Sequence, residues 1–339
     1  MKVKDVIYSE LVHTGQEMSA EDLSKLDGVG DRTYVSRVLK QLILEQKVEQ
    51  RRQGRNIFYH ATGQELIYNE HLSLKNLHED EIWKIITTKF SKAPSENSES
   101  ILYFSFTEML NNAIDHSKSG TAHIKLWRDK NALKFIIRDF GIGIFREIMT
   151  KKHLKTEVDA LLAVLKGRLT TDPKRHSGEG LFWTAKAADK IVITSYNLKL
   201  TIDNIIDDYA VETLDEPLLG TEIAFEISAD TKKSMSKIFH TYSLDHEKTI
   251  LDTTSIPVKL YETGEVWISR SQAKKILDGL DKFKKIILDF KGIKLIGQGF
   301  ADEIFRVWQN NHPNIIIEPI NTNASVEFMI RHAKNTVVE

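Results

Sequence analysis

Phe106-Thr107-Glu108-Met109-Leu110-Asn111-Asn112-Ala113-Ile114-Asp115-His116 is the stretch that decides how this chain is read. On a helix, Glu108 and Asn112 stand four residues apart and share one face. Asp115 and His116 lie one turn further along. A carboxylate and an amide oxygen on one face suit a hard cation that keeps several waters and bridges phosphates. The carboxylate can also orient or deprotonate an attacking nucleophile. Taken alone, Glu and Asn at this spacing are usually just a solvated helix face.

Three further segments change that weighting. Leu133-Lys134-Phe135-Ile136-Ile137-Arg138 is an apolar-rich strand running into Asp139-Phe140-Gly141-Ile142-Gly143-Ile144. Glycines at alternating positions let backbone come close to a flat ligand, and Asp139 at the strand end can accept a hydrogen bond from an exocyclic amine. His176-Ser177-Gly178-Glu179-Gly180-Leu181-Phe182-Trp183 is a glycine-rich turn entering a helix, where backbone N–H groups favour phosphate. Leu219-Gly220-Thr221-Glu222 opens a strand with a hydroxyl near its start.

E-x-x-x-N-A-x-D-H, then D-x-G-x-G, then G-x-G-L before a helix, then G-T on a strand, resembles the four boxes of the GHKL superfamily. That superfamily includes Hsp90, gyrase B, the MutL proteins, histidine kinases and anti-sigma-factor kinases. The resemblance covers roughly residues 100–228 and implies an α/β sandwich binding ATP with Mg²⁺. It makes Asn112 a Mg²⁺ ligand, with Glu108 beside the metal as general base or water-positioning carboxylate. Asp139 becomes the adenine contact, with Gly141, Gly143 and Ile144 beside the ring and Thr221 supporting adenine through Asp139 or a water. Ser177, Gly178, Glu179, Gly180 and Leu181 fall at the phosphates, as do Asp115 and His116, although a structural role for His116 is an equal alternative. Residues 146–177, with Lys151, Lys152, Lys155, Lys166, Arg168, Lys174 and Arg175, form the expected lid over the triphosphate. Lys174 or Arg175 is expected to reach the γ-phosphate, the choice staying open.

Composition sets the outer bounds. A chain of 339 residues is too long for one ordinary core and implies two or three domains. With 41% hydrophobic and 28% charged residues and a net charge of −1, it reads as a soluble globular protein with no whole-molecule field for nucleic acid or membrane. The absence of cysteine excludes disulfides, thiolate metal sites and a cysteine nucleophile. No apolar run approaches the ~18 residues of a membrane span, and the start lacks a signal core, so a cytoplasmic location is expected.

Upstream, residues 1–62 read as three short helices followed by a strand–turn–strand. Ser19-Ala20-Glu21-Asp22 is a capping box and Asp31 can cap the third helix, which turns Val35, Val38, Leu39 and Leu42 inward. Lys47–Arg52 and Asn56–His60 alternate like two strands joined at Gln53-Gly54-Arg55. This pattern resembles a winged helix-turn-helix. Residues 31–60 hold seven Lys/Arg against three Asp/Glu, which suits a helix in the major groove and a wing against phosphates of double-stranded DNA. Arg32, Arg37, Lys40, Arg51, Arg52 and Arg55 are the candidate contacts. A protein-docking face is the alternative. Residues 63–100 are expected to be a helical linker, with Glu65–Phe90 as one or two helices.

Downstream, residues 245–339 read as strand, helix, strand, helix, strand, helix. Lys284–Phe290, the turn at Gly297-Gln298-Gly299 and the strand Asn314–Pro319 resemble the STAS fold, in particular the STAS-like domain found behind GHKL ATPases. STAS antagonists carry a phosphorylatable serine at the strand-to-helix turn, and Gly297-Gln298-Gly299 has no hydroxyl there. Asp302 and Glu303 read as surface charges or as part of an interdomain contact.

The expected architecture is therefore an α/β multidomain chain: winged helix, GHKL domain over 101–230, STAS-like domain. The leading expectation is a regulator in which Mg-ATP controls DNA or partner binding, the STAS-like domain offering the protein contact. A serine or histidine protein kinase of the anti-sigma type, acting on a separate protein, is the alternative. Whether ATP is hydrolysed, and whether the chain forms a homodimer, stay open.

Overall fold

Ser19 and Asp31 start helices as their side chains dictate. In the computed structural model, Ser19 Oγ accepts from the backbone of Asp22, whose carboxylate returns the bond, and Asp31 accepts from Tyr34 N at 2.8 Å. The structure describes residues 3–14, 17–45, 47–54, 56–61, 64–90, 93–129, 131–168, 178–244, 250–261 and 269–335. The N-terminal unit contains α1 (Val3–Thr14), β1 (Met18–Ser19), α2 (Ala20–Ser24), α3 (Arg32–Leu44), β2 (Val48–Gln53) and β3 (Asn56–Ala61). Its strands form an antiparallel sheet in the order β1-β3-β2. Ile7, Leu11, Leu23, Val35, Leu39 and Leu42 are buried together in a core of their own.

The middle of the chain contains β4 (Gln64–Ser73), α4 (Glu79–Thr87), α5 (Glu96–His116), β5 (Thr121–Asp129), β6 (Ala132–Asp139), α6 (Ile144–Lys151), α7 (Glu157–Lys166), α8 (Gly180–Ala187), β7 (Lys190–Asp203), β8 (Asp208–Ser228) and α9 (Met235–Thr241). The five strands make one antiparallel sheet in the order β4-β5-β6-β8-β7. Alternation along β6 buries Leu133, Phe135 and Ile137. Phe135 stacks on Phe225 of β8 at 4.8 Å and meets Phe106 of α5 edge-on at 5.7 Å. The helix carrying Glu108 and Asn112 is thereby pressed onto the sheet.

Residues 64–73 correct the helical expectation for 63–100. They form β4, paired along β5, and α4 is the one helix described between that strand and α5. His71 consequently lies on a strand, stacked on His123 at 4.3 Å, and His78 sits at the N-cap of α4.

The C-terminal unit runs β9 (Thr253–Pro257), a 3₁₀ segment Val258–Tyr261, α10 (Arg270–Leu277), β10 (Lys285–Asp289), α11 (Gln298–Asp302), a π-helical segment Glu303–Trp308, α12 (Gln309–Asn311), β11 (Ile316–Ile320) and α13 (Ala324–Asn335). Strand–helix alternation gives a parallel sheet in the order β11-β10-β9. Asp302 and Glu303 are not surface charges, being 8% exposed. Asp302 is ion-paired with Arg270 at 3.0 Å and with Arg306 one turn along the helix, because a carboxylate at that depth needs a partner. The cores of the middle and C-terminal units are continuous.

Candidate functional site

Asp139 ends β6, one residue past the pairing of Arg138 with Glu222 of β8. Its Oδ1 accepts from Gly141 N at 2.8 Å and from Thr221 N at 3.3 Å, and the side chain is 5% exposed. Burial pushes the carboxyl above its usual range, opposed by the hydrogen bonds from Gly141 and Thr221. Both backbone bonds fall on one oxygen; among the described residues Oδ2 receives no backbone N–H. The Thr221 hydroxyl accepts from Ile144 N at 2.9 Å, tying β8 to the start of α6.

The glycines here are required by close approach. A Cβ on Gly141 would lie 1.8 Å from the carbonyl oxygen of Ser117, and one on Gly220 would lie 2.2 Å from the carbonyl oxygen of Asp139. Gly143 has φ +86° and faces Ser195 Oγ, 2.7 Å from where its Cβ would stand. A side chain at Gly141 or Gly220 would displace backbone, and one at Gly143 would be strained by its positive φ and by Ser195, so Asp139, Gly141, Gly143, Ile144, Gly220 and Thr221 form one fixed cluster.

The other end of the site is the contact of α5 with α8. Ser95 caps α5, and buried Ser98 donates to Ser228 O at 2.9 Å and accepts from Thr231 N at 3.1 Å, anchoring the helix to the end of β8. Three turns on, Glu108 and Asn112 are half-buried. A Cβ on Gly180 would lie 1.8 Å from Glu108 Oε2, so the carboxylate rests directly on the N-terminus of α8. Asn112 makes one weak described contact, Nδ2 to Met109 Sδ at 3.9 Å. Asp115 is exposed and His116 half-buried at the end of α5. Leu181 is half-buried in the first turn of α8 and Gly178 precedes it at φ +70°.

Several residues expected at the phosphates have partners within the chain. The Glu179 carboxylate is held by Arg168 Nε at 3.6 Å and by Trp183 Nε1 at 3.3 Å. Lys166, expected over the triphosphate, is 6% exposed and donates to the carbonyls of Lys275 and Asp278 in the C-terminal unit. Lys151 pairs with Glu147 at 2.7 Å. Lys174, Arg175 and Ser177 lie outside the described residues.

Two participants carried no sequence signal. Ser117 supplies the carbonyl that receives Ile142 N at 3.1 Å and forces residue 141 to be glycine. Ser195 is fully buried behind Gly143, and among the described residues its hydroxyl has no partner. Both act through position rather than through a motif.

On the N-terminal unit, Arg32, Arg37 and Lys40 are exposed along α3. Arg51 and Arg52 are exposed on β2, Arg51 reaching Glu17 at 3.4 Å. Arg55 lies outside the described residues. Among the described residues no helix is long and apolar enough to cross a membrane.

Residues 97–231 match the family model described as Histidine kinase-, DNA gyrase B-, and HSP90-like ATPase. Residues 272–327 match the STAS-like domain of unknown function (DUF4325). No curated protein matches the chain. A GHKL-type ATPase domain is therefore present in the middle of the chain, with a STAS-like domain behind it, and ATP is the ligand that the ATPase domain supports.

Proposed function

We propose that this chain is an ATP-binding regulator, in which nucleotide at the ATPase domain governs contacts made by its other two units. The carrying observation is the fixed cluster at Asp139, with a buried carboxylate braced on one oxygen and its second oxygen without a backbone donor. The second oxygen is an acceptor of the kind that an adenine exocyclic amine, a donor, requires. The half-buried Glu108 against the N-terminus of α8, with half-buried Asn112 one turn along α5, suits the phosphate end. Asn112 is the expected Mg²⁺ ligand, since a cation that keeps its waters and leans on phosphates needs only one or two protein oxygens. Such an ion would neutralise phosphate charge. Glu108 would orient or deprotonate an attacking water, and it is held for that role by the absence of a side chain at Gly180.

Calorimetry tests the site. ATP should bind with Mg²⁺, and Asn112→Ala should abolish the Mg²⁺-dependent part while leaving the fold intact. GTP places an oxygen where adenine has its amine, a mismatch at Asp139 that costs on the order of 1–3 kcal/mol. Equal ATP and GTP affinities would defeat the assignment of Asp139. If the chain turns ATP over, Glu108→Ala should retain binding and lose rate by ~10²–10⁴-fold.

The N-terminal unit is read as a winged helix-turn-helix for duplex DNA, supported by the exposed row Arg32, Arg37, Lys40 on α3 and by Arg51 and Arg52 on β2. Removing Arg51 or Arg52 should weaken binding uniformly across sequences and flatten the log–log salt slope by roughly 0.9 per lost phosphate contact. Arg37 is the base-edge candidate, where loss costs about 1–3 kcal/mol at one position of the site. Absence of binding to mixed-sequence duplex at low salt, with and without ATP, would leave a protein-docking face in its place. Regulation requires only that ATP prefer one arrangement of the units; a hundredfold preference is about 2.7 kcal/mol.

A further inference from the structure

The end of α7 is built into the STAS-like domain. Lys166 Nζ donates to Lys275 O at 2.9 Å and Asp278 O at 2.8 Å, and Thr254 Oγ1 of β9 donates to Lys166 O at 2.7 Å. Tyr261 OH reaches Leu162 O at 3.3 Å. The chain then turns through two consecutive left-handed residues, Gly167 at φ +79° and Arg168 at φ +52°. Gly167 passes through a slot: a Cβ there would lie 2.9 Å from Leu251 on one side and 2.9 Å from Phe182 of α8 on the other. Arginine in this conformation is strained and persists only where its surroundings hold it.

They do hold it, from both domains. Arg168 Nη1 donates to Lys282 O at 2.7 Å, and Lys282 Nζ donates back to Arg168 O at 2.9 Å. The same guanidinium faces Glu179 Oε1 at 3.6 Å. Glu179 is the residue between Gly178 and Gly180, at the N-cap of α8. A planar fork with several donors can satisfy a carbonyl and a carboxylate at once, which an ammonium cannot do equally well.

We propose that Arg168 is a positioning residue of the nucleotide site, fixing the Gly178–Gly180 turn through Glu179, and that the STAS-like domain fixes Arg168 through Lys282. The STAS-like domain is then a working part of the phosphate end of the site, and whatever displaces residues 278–284 alters nucleotide affinity. This rests on the ATP site proposed above.

The test is Mg-ATP calorimetry on the full chain. Arg168→Ala should weaken ATP by about tenfold, the effect of losing a half-buried charge-assisted contact. Lys282→Ala should weaken it less, and the double variant should be no weaker than Arg168→Ala, because both act on one route. Arg168→Lys, which keeps the cation beside Glu179, should recover part of the loss. Lys275→Ala removes an exposed pair with Asp159 at the same joint, 3.7 Å apart, and should leave affinity unchanged. Thermal unfolding of each variant separates positioning from loss of fold. Wild-type affinity in both Arg168→Ala and Lys282→Ala overturns the proposal, as does an equal loss in Lys275→Ala. No ATP binding by the wild type overturns the site itself along with it.

Discussion

Toward the STAS-like domain the ATPase domain shares a continuous core, and Lys166, Arg168, Thr254 and Tyr261 bond across the joint. Toward the N-terminal unit it shares none among the described residues: those buried among α1, α2, α3 and the small sheet form a separate cluster. Apolar burial is the dominant favourable term in folding, so the first joint makes two domains one cooperative body. The second leaves a unit that can unfold, or move, by itself. On the proposal above, a strain or a ligand on the STAS-like side should be felt at the nucleotide site, and one on the N-terminal side should act there without a shared core among the described residues.

The strongest test of that contrast is Phe182→Ala. This side chain is 3% exposed, meets Tyr242 edge-on at 5.2 Å and walls the slot of Gly167. Truncation should cost about 3–5 kcal/mol. Peptide-resolved hydrogen exchange should show β6 and β10 losing protection together. If β10 keeps its protection while β6 loses it, the two domains are not one body. Next in size is Leu39→Ala, in the other core, at about 2–5 kcal/mol. Its loss should be confined to the segment from α1 to β3, with Mg-ATP affinity of the chain unchanged.

A smaller effect comes from pH. Burial lowers the Lys166 ammonium from 10.5 to about 8. Between those values the unfolded chain holds a proton that the folded chain has released, so stability rises with pH across the window. Below about 8 both states are protonated and the full cost of the buried charge is felt. The gain should be on the order of 1–3 kcal/mol and should vanish in Lys166→Met, measured as the difference between the two stability–pH curves. A wild-type curve parallel to that of the variant would refute the buried charge. The smallest is Asp31→Ala, which removes the cap of α3 and should cost about 1 kcal/mol in the N-terminal unit alone.

The glycine cluster around Asp139, the proposed adenine end of the site, was legible in the sequence because its geometry disfavours side chains. Gly141 and Gly220 must be glycine for backbone to pass backbone, Gly143 adopts a positive φ against Ser195, and that need shows as spacing. The strand at 64–73 was misread for an equally physical reason. A bulge between Leu66 and Tyr68 breaks the alternation, leaving Ile67 and Tyr68 both buried and Leu66 exposed. The apolar spacing that results does not have period two. Lys166 and Arg168 were expected over the triphosphate because the resemblance places residues 146–177 in a lid. Their partners in the C-terminal unit, Lys275, Asp278 and Lys282, lie more than a hundred positions away, where no local pattern can announce them.

The slot at Gly167 bears on how the ATPase domain can be handled as an isolated piece. A fragment cut at the edges of its family match, 97–231, would lack Tyr242, Leu251 and Ile256, all packed into the shared core. It would present Phe182 and the inner side of α7 to water. Exposed apolar surface of that kind finds company. Self-association of such a fragment would report the missing half of its own interior, and a dimer seen there would carry no information about how the whole chain assembles.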